Sequence, residues 1–179
     1  MKINGIEQKK GKIVFSTKTL AALGILLAME IVLSRFLSIS AWNVKIGFSF
    51  VPIVLAALLF GPIPAAAVAA LGDFLGAILF PIGPYFPGFT LTAALTGLTF
   101  GLLLHRKNSV VNSLLAVLIV QWILGLLLNT YWIHVLYQSP FVPLLATRAA
   151  QAALLSVVQF VTIRALIPLA ERLKGSVAA

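Results

Sequence analysis

The stretch VVNSLLAVLIVQWILGLLLNTYWIHV, residues Val110–Val135, contains no Lys, Arg, Asp or Glu. At ~1.5 Å of rise per residue, a helix of this length outreaches the ~30 Å of hydrocarbon in a bilayer. In lipid each backbone N–H and C=O needs a partner inside the chain, which a helix provides by itself. This stretch therefore predicts a transmembrane helix, and it sets the fold class.

Outward from it, five more apolar runs are bounded by turn residues. Upstream they read as helices over Thr17–Leu37, Ser49–Phe60, Ala65–Phe80 and Phe89–Leu104, and downstream over Val142–Ala170. Ser16 is a good cap for the first. Gly61-Pro62-Ile63-Pro64 and the aromatic loop Pro81–Gly88 break the chain between them. Composition agrees: of 179 residues, 61% are hydrophobic and only 9% charged, and the mean hydropathy is +1.09. A soluble domain carries roughly 25% charged residues. Six spans use most of the chain, so residues 1–179 read as one transmembrane domain. Residues 1–15 form a basic cytoplasmic tail, without the features of a cleavable signal.

Charge orients the bundle. The N-terminal lysines, Arg106-Lys107 and Arg172 with Lys174 share one side if there are six crossings, while the Pro-rich loop and the Gln138 turn carry no cation. The positive-inside bias puts both termini on the cytoplasmic side of a cell membrane. The same clustering explains the net charge of +9 and argues against nucleic acid as a partner.

Four charges break the apolar rule. Glu30 and Arg35 fall in the outer half of helix 1, Asp73 near the middle of helix 3, and Arg148 two turns into helix 6. Each costs ~2.5–3.5 kcal/mol at mid-membrane, so they must be paired or hydrated. An ion-pair network pinning the bundle is one reading. A polar pocket open to the outside is the other, and the one-sided placement favours it. Asn129 and Trp132 on helix 5, near Gln121 and Gly125, and Gln151 on helix 6 share that region. Lys45 in the first outer loop can fold over the mouth. Phe48, Phe86 and other aromatics line the same side, as a belt or as stacking walls. Thr92, Thr96 and Thr99 read as packing. Ala21, Gly24 and Ala28 form a small-residue face in the cytoplasmic half of helix 1, suited to docking another membrane subunit.

Catalytic signatures are missing. No GxxxxGK[ST], HExxH or GxSxG occurs, there is no cysteine, and His105 and His134 fall on opposite sides. The chain is expected not to be an enzyme and to hold no cofactor or metal.

The segments Leu33-Ser34-Arg35-Phe36-Leu37-Ser38-Ile39, Asn43-Val44-Lys45-Ile46-Gly47-Phe48, Leu59-Phe60-Gly61-Pro62, Gly72-Asp73-Phe74-Leu75-Gly76 and Tyr85-Phe86-Pro87-Gly88-Phe89-Thr90-Leu91 resemble the folate-family substrate-binding (S) components of energy-coupling factor (ECF) vitamin transporters. The resemblance implies a compact six-helix bundle that captures folate at its outer face. It further implies a transmembrane coupling subunit and two ATP-hydrolysing subunits as partners. Chemically, Asp73, or else Glu30, suits the N–H edge of a pterin, and Arg35, Lys45 and Arg148 suit contacts to the carboxylate tail or to polar ring atoms. Family members often carry Ala-x-x-x-Ala in helix 1, where this chain has Gly24-x-x-x-Ala28. The rival readings are an S component for riboflavin, thiamine or a related heterocycle, and a structural membrane subunit.

Overall fold

The computed structural model describes the backbone of residues 2–3, 6–9, 12–41, 44–106 and 108–178, and the side chains of residues 16–38, 46–106 and 108–174. Among the described residues the regular structure is helical apart from two small antiparallel sheets. Strands β1 (Lys2–Ile3), β2 (Ile6–Lys9) and β3 (Lys12–Phe15) form the first, so the basic segment read as a tail is stranded. Strands β4 (Ser38–Ala41) and β5 (Val44–Gly47) form a hairpin where a loop was expected.

The helices are α1 (Thr17–Arg35), α2 (Phe50–Phe60), α3 (Pro62–Leu79), α4 (Pro87–Leu104), α5 (Val110–Leu118), α6 (Asn129–Tyr137) and α7 (Phe141–Ala178); a π-helical segment, Ile119–Leu128, joins α5 to α6 in one rod. Ser16 caps α1 as expected, its Oγ accepting from the Thr19 N–H. Helices α3 and α4 begin two to three residues before their expected starts. Pro62 and Pro87 lie in their first turns, where the missing N–H would be unpaired anyway.

Five helical stretches are long and apolar enough to cross a bilayer: Thr17–Arg35, Pro62–Leu79, Pro87–Leu104, Val110–Tyr137 and Phe141–Lys174. The sixth expected span, α2, has 11 residues, or ~16 Å of helix. Ten of them are buried, against α1, α3, α4 and α7. This helix is the centre of the core, surrounded by protein instead of lipid. Val54, Ala56, Ala57 and Leu58 have no exposed surface.

Gly61 alone links α2 to α3. Its φ of 91° is open to glycine and costly for other residues. Helices α3 and α4 cross so closely that a Cβ at Gly97 or Gly101 would strike the backbone of Ala65 or Pro62. At the end of the bundle away from the 81–86 loop, Arg164 Nη1 donates to the Asn108 carbonyl at 3.0 Å and ties α7 to the α4–α5 connection.

Candidate ligand-binding site

The π segment sets one wall. In an α-helix a four-residue step overshoots a full turn by ~40°. Hydrogen bonds from i to i+5 widen each turn, so the same step falls short in a π-helix. The errors have opposite sign, and Gln121, Gly125, Asn129, Ile133 and Tyr137 all reach one cavity. The sequence reading of one uninterrupted α-helix over Val110–Val135 is thus corrected. Helix α7 supplies a second ladder, Arg148, Gln151, Ala152, Leu155 and Gln159, at helical spacing.

The cavity encloses about 470 Å³, within the ~300–1,000 Å³ typical of small-molecule sites. Its mouth is framed by Ile82, Gly83, Pro84 and Tyr85, by Tyr137, and by Gly47 at the hairpin end.

Opposite the π segment, α1 brings in two charged side chains and α3 makes room for them. Glu30 is 5% exposed. A Cβ at Gly72 would collide with its carboxylate, and one at Gly76 would sit 2.7 Å from Arg35 Nε. Arg35 Nη2 lies 3.7 Å from Asp73 Oδ1 and donates to the Asp73 carbonyl at 3.2 Å. Thr90 Oγ1 donates to Asp73 Oδ2 at 2.7 Å and lies 3.4 Å from the Tyr85 hydroxyl. The ion pair is therefore coupled to the mouth loop. Across the cavity, Arg148 Nη2 donates to the Gly125 carbonyl of the π segment at 2.9 Å.

Of the residues picked from sequence, Glu30, Arg35, Asp73, Phe86, Asn129, Arg148 and Gln151 line this one cavity. Phe48 and Trp132 do not. Phe48 is half exposed and packs on Phe50 with ring centroids 6.1 Å apart. Trp132 stands behind the wall. Its ring is 5.6 Å from that of Phe86, and its Nε1 donates to Thr92 Oγ1 at 3.1 Å. The Lys45 side chain lies outside the described ones. Thr92 and Thr96, read as packing residues, reach the cavity as well.

Sequence reasoning passed over Gln159 and Thr90. Gln159 is 1% exposed and bonds Gln121 at 3.1 Å. Its signal was present: it lies two α-helical turns beyond Gln151, on the Arg148 face. Thr90 gave no local signal, because its partner comes from α3. Buried polar atoms still open to a partner include Asn129 Oδ1 and Arg35 Nε. Among the described residues no group of three or more His, Asp or Glu could hold a metal.

The small-residue face is elsewhere. Ala21, Gly24 and Ala28 are exposed, and a Cβ at Gly24 would meet nothing within 4 Å.

Apolar helices of spanning length around an open-mouthed, charge-bearing cavity define a multi-pass membrane protein that can hold a small polar ligand. The family model for the S component of ECF-type riboflavin transporters matches residues 14–174. The chain belongs to that family of transporter S components. A folate transporter FolT of Clostridium novyi (strain NT) is 35% identical over 153 residues, covering 85% of this chain and 89% of the relative. A folate transporter FolT of Leuconostoc mesenteroides is 33% identical over 125 residues, covering 69% and 67%. Among solved structures, a crystal structure of FolT bound with folic acid superposes with a TM-score of 0.80 at 31% identity, covering 84% of this chain and 93% of that one.

Proposed function

We propose that this chain is the membrane-embedded folate-binding subunit of an ECF-type importer, and that the cavity between α1, α3, α4, the π segment and α7 receives folate. The observation that carries this reading is the match along most of both chains to FolT with folic acid. The cavity supports it chemically. Folate is a flat heterocycle with a dicarboxylate tail, and the cavity combines aromatic wall residues Phe86 and Phe89 with two guanidinium groups, Arg35 and Arg148. Glu30, Asn129 and Gln151 add polar contacts. Asp73 acts chiefly through Arg35 and Thr90, which already occupy its oxygens. Lys45, on the hairpin beside the mouth, supplies a further cation.

In this reading residues 1–179 form a single domain with six crossings and both termini in the cytoplasm. Helix α2 makes the short second crossing inside a protein shell. The mouth faces outside, because the 81–86 loop and the α6–α7 turn lack Lys and Arg whereas Arg106, Arg172 and Lys174 lie at the other end. A chain without a phosphate-binding loop cannot drive uptake by ATP hydrolysis, so a transmembrane coupling subunit and two ATP-hydrolysing subunits complete the importer. The exposed face of Ala21, Gly24 and Ala28 is where the coupling subunit docks.

The family description favours a second reading, riboflavin. That ligand carries no carboxylate, the group whose geometry best matches a guanidinium. Thermal unfolding of the purified full chain against a vitamin panel separates the two. Folic acid should raise the midpoint and riboflavin should not. Stabilisation by riboflavin alone would overturn the folate reading.

A further inference from the structure

At the floor of the cavity lies a pair of neutral amides that no part of the reading above uses. Gln159 on α7 is the largest fully buried polar side chain described, at 1% exposure. Gln121, in the π segment, donates from Nε2 to Gln159 Oε1 at 3.1 Å, and both residues line the cavity. Their neighbours in sequence along the two ladders, Val120 on the π segment and Leu155 on α7, are apolar and line the cavity too. Both guanidinium groups are bonded nearer the mouth. Arg148 holds the Gly125 carbonyl, one turn closer to the mouth on the π segment, and Arg35 holds the Asp73 carbonyl.

A primary amide offers two N–H donors and one carbonyl. The bond between the glutamines consumes one donor of Gln121 and one acceptor site of Gln159. It thereby fixes what the pair presents: a carbonyl oxygen from Gln121 beside N–H groups from Gln159. An amide placed this deep gains most from a ligand edge that matches it group for group. A carboxylate is the wrong partner, since burying an anion beside neutral amides leaves its charge uncompensated. The matching partner is a planar lactam edge with N–H and C=O side by side.

We propose that Gln121 and Gln159 are the specificity-determining pair of this site and read the N3–H/O4 edge of a 2-amino-4-oxopterin. The inference rests on the folate reading and adds an orientation to it: heterocycle at the floor, carboxylates toward the mouth. Gln121 Oε1 accepts the N3–H, and Gln159 Nε2 donates to O4. The 4-amino analogue of folic acid reverses that edge, placing a lone pair at N3 and an N–H at position 4, so it mismatches the pair while keeping the same tail.

The test compares folic acid with this 4-amino analogue (aminopterin) by equilibrium binding to the purified full chain. The unmodified chain should prefer folic acid. Gln159→Met keeps the volume and removes every donor and acceptor. It should weaken folic acid about tenfold or more and bring the preference for folic acid over the analogue close to one. Gln121→Met, at a less buried position, should do the same. The double variant should lose little beyond either single, because the two amides act as a unit. If both ligands weaken by one common factor, so that the preference is unchanged, the pair only packs the floor and the proposal is overturned. If the unmodified chain binds neither ligand, the folate reading itself falls. Should Gln159→Met not fold, the preference measured with Gln121→Met decides alone.

Discussion

At the scale of single residues, the site depends on two absent side chains. Gly72 and Gly76 have the spacing that lets helix backbones approach in a membrane, and the sequence invites that interpretation. Their role is more specific: the space above Gly72 holds the Glu30 carboxylate and that above Gly76 the Arg35 guanidinium. A methyl group at Gly72 would have to push aside the Glu30 carboxylate, which is itself only 5% exposed. Gly72→Ala is expected to destabilise the protein by ~1–3 kcal/mol, the usual cost of overpacking, and to weaken folic acid binding. Adding Glu30→Ala removes the colliding carboxylate and should restore most of the lost stability. Thermal unfolding of the single and double variants checks this. If the second substitution gives no recovery, Gly72 serves helix packing alone.

At the scale of elements, hydropathy was sufficient to find the helices and insufficient to describe four of them. Pro62 and Pro87 read as breakers because a proline in a helix interior costs a hydrogen bond, yet both stand in first turns. Helix α2 read as a span because its residues are apolar, and they are apolar because protein surrounds them. The π segment was invisible: Ile119–Leu128 contains no residue that demands i to i+5 bonding, and its consequence appears only in which side chains reach the cavity. The charged half of the site was legible, since ions in lipid must converge or pair. Thr90 and the role of Thr92 were not, because a hydroxyl in lipid is cheap and its partners come from other helices. Helix α1 carries a prediction of its own. Gly24 lies six residues, or ~9 Å, from Glu30 along the helix axis, and none of the described residues comes within 4 Å of a Cβ placed on it. Gly24→Leu is expected to leave folic acid binding within about twofold, since a surface change away from such features rarely exceeds ~0.5 kcal/mol. It should abolish uptake by the assembled importer by holding the partner's helix away. Binding and uptake measured in the same membranes test this. A parallel fall in both would place the Gly24 face inside the bundle, and full uptake would place the coupling contact elsewhere.

At the scale of the whole molecule, the proposed orientation rests on how charge is distributed between the two ends of the bundle. At the end that frames the cavity the 81–86 loop and the α6–α7 turn carry no cation and the hairpin carries Lys45, whereas the opposite end carries Arg106, Arg172 and Lys174. The chain has no cysteine, so one introduced thiol is an unambiguous reporter. A cysteine replacing the exposed Pro140 should react with an impermeant maleimide on intact cells, and one replacing the exposed Arg172 should react only after permeabilisation. The reverse pattern would invert the protein. The central claim is that this chain captures folate and cannot accumulate it alone. Vesicles containing only this chain, given labelled folic acid with and without excess riboflavin, test that most directly. The expected result is saturable binding at one folic acid per chain, unaffected by riboflavin, and no accumulation beyond that stoichiometry when ATP is supplied on both sides. Displacement by riboflavin, or ATP-driven accumulation in the absence of any other subunit, would contradict it.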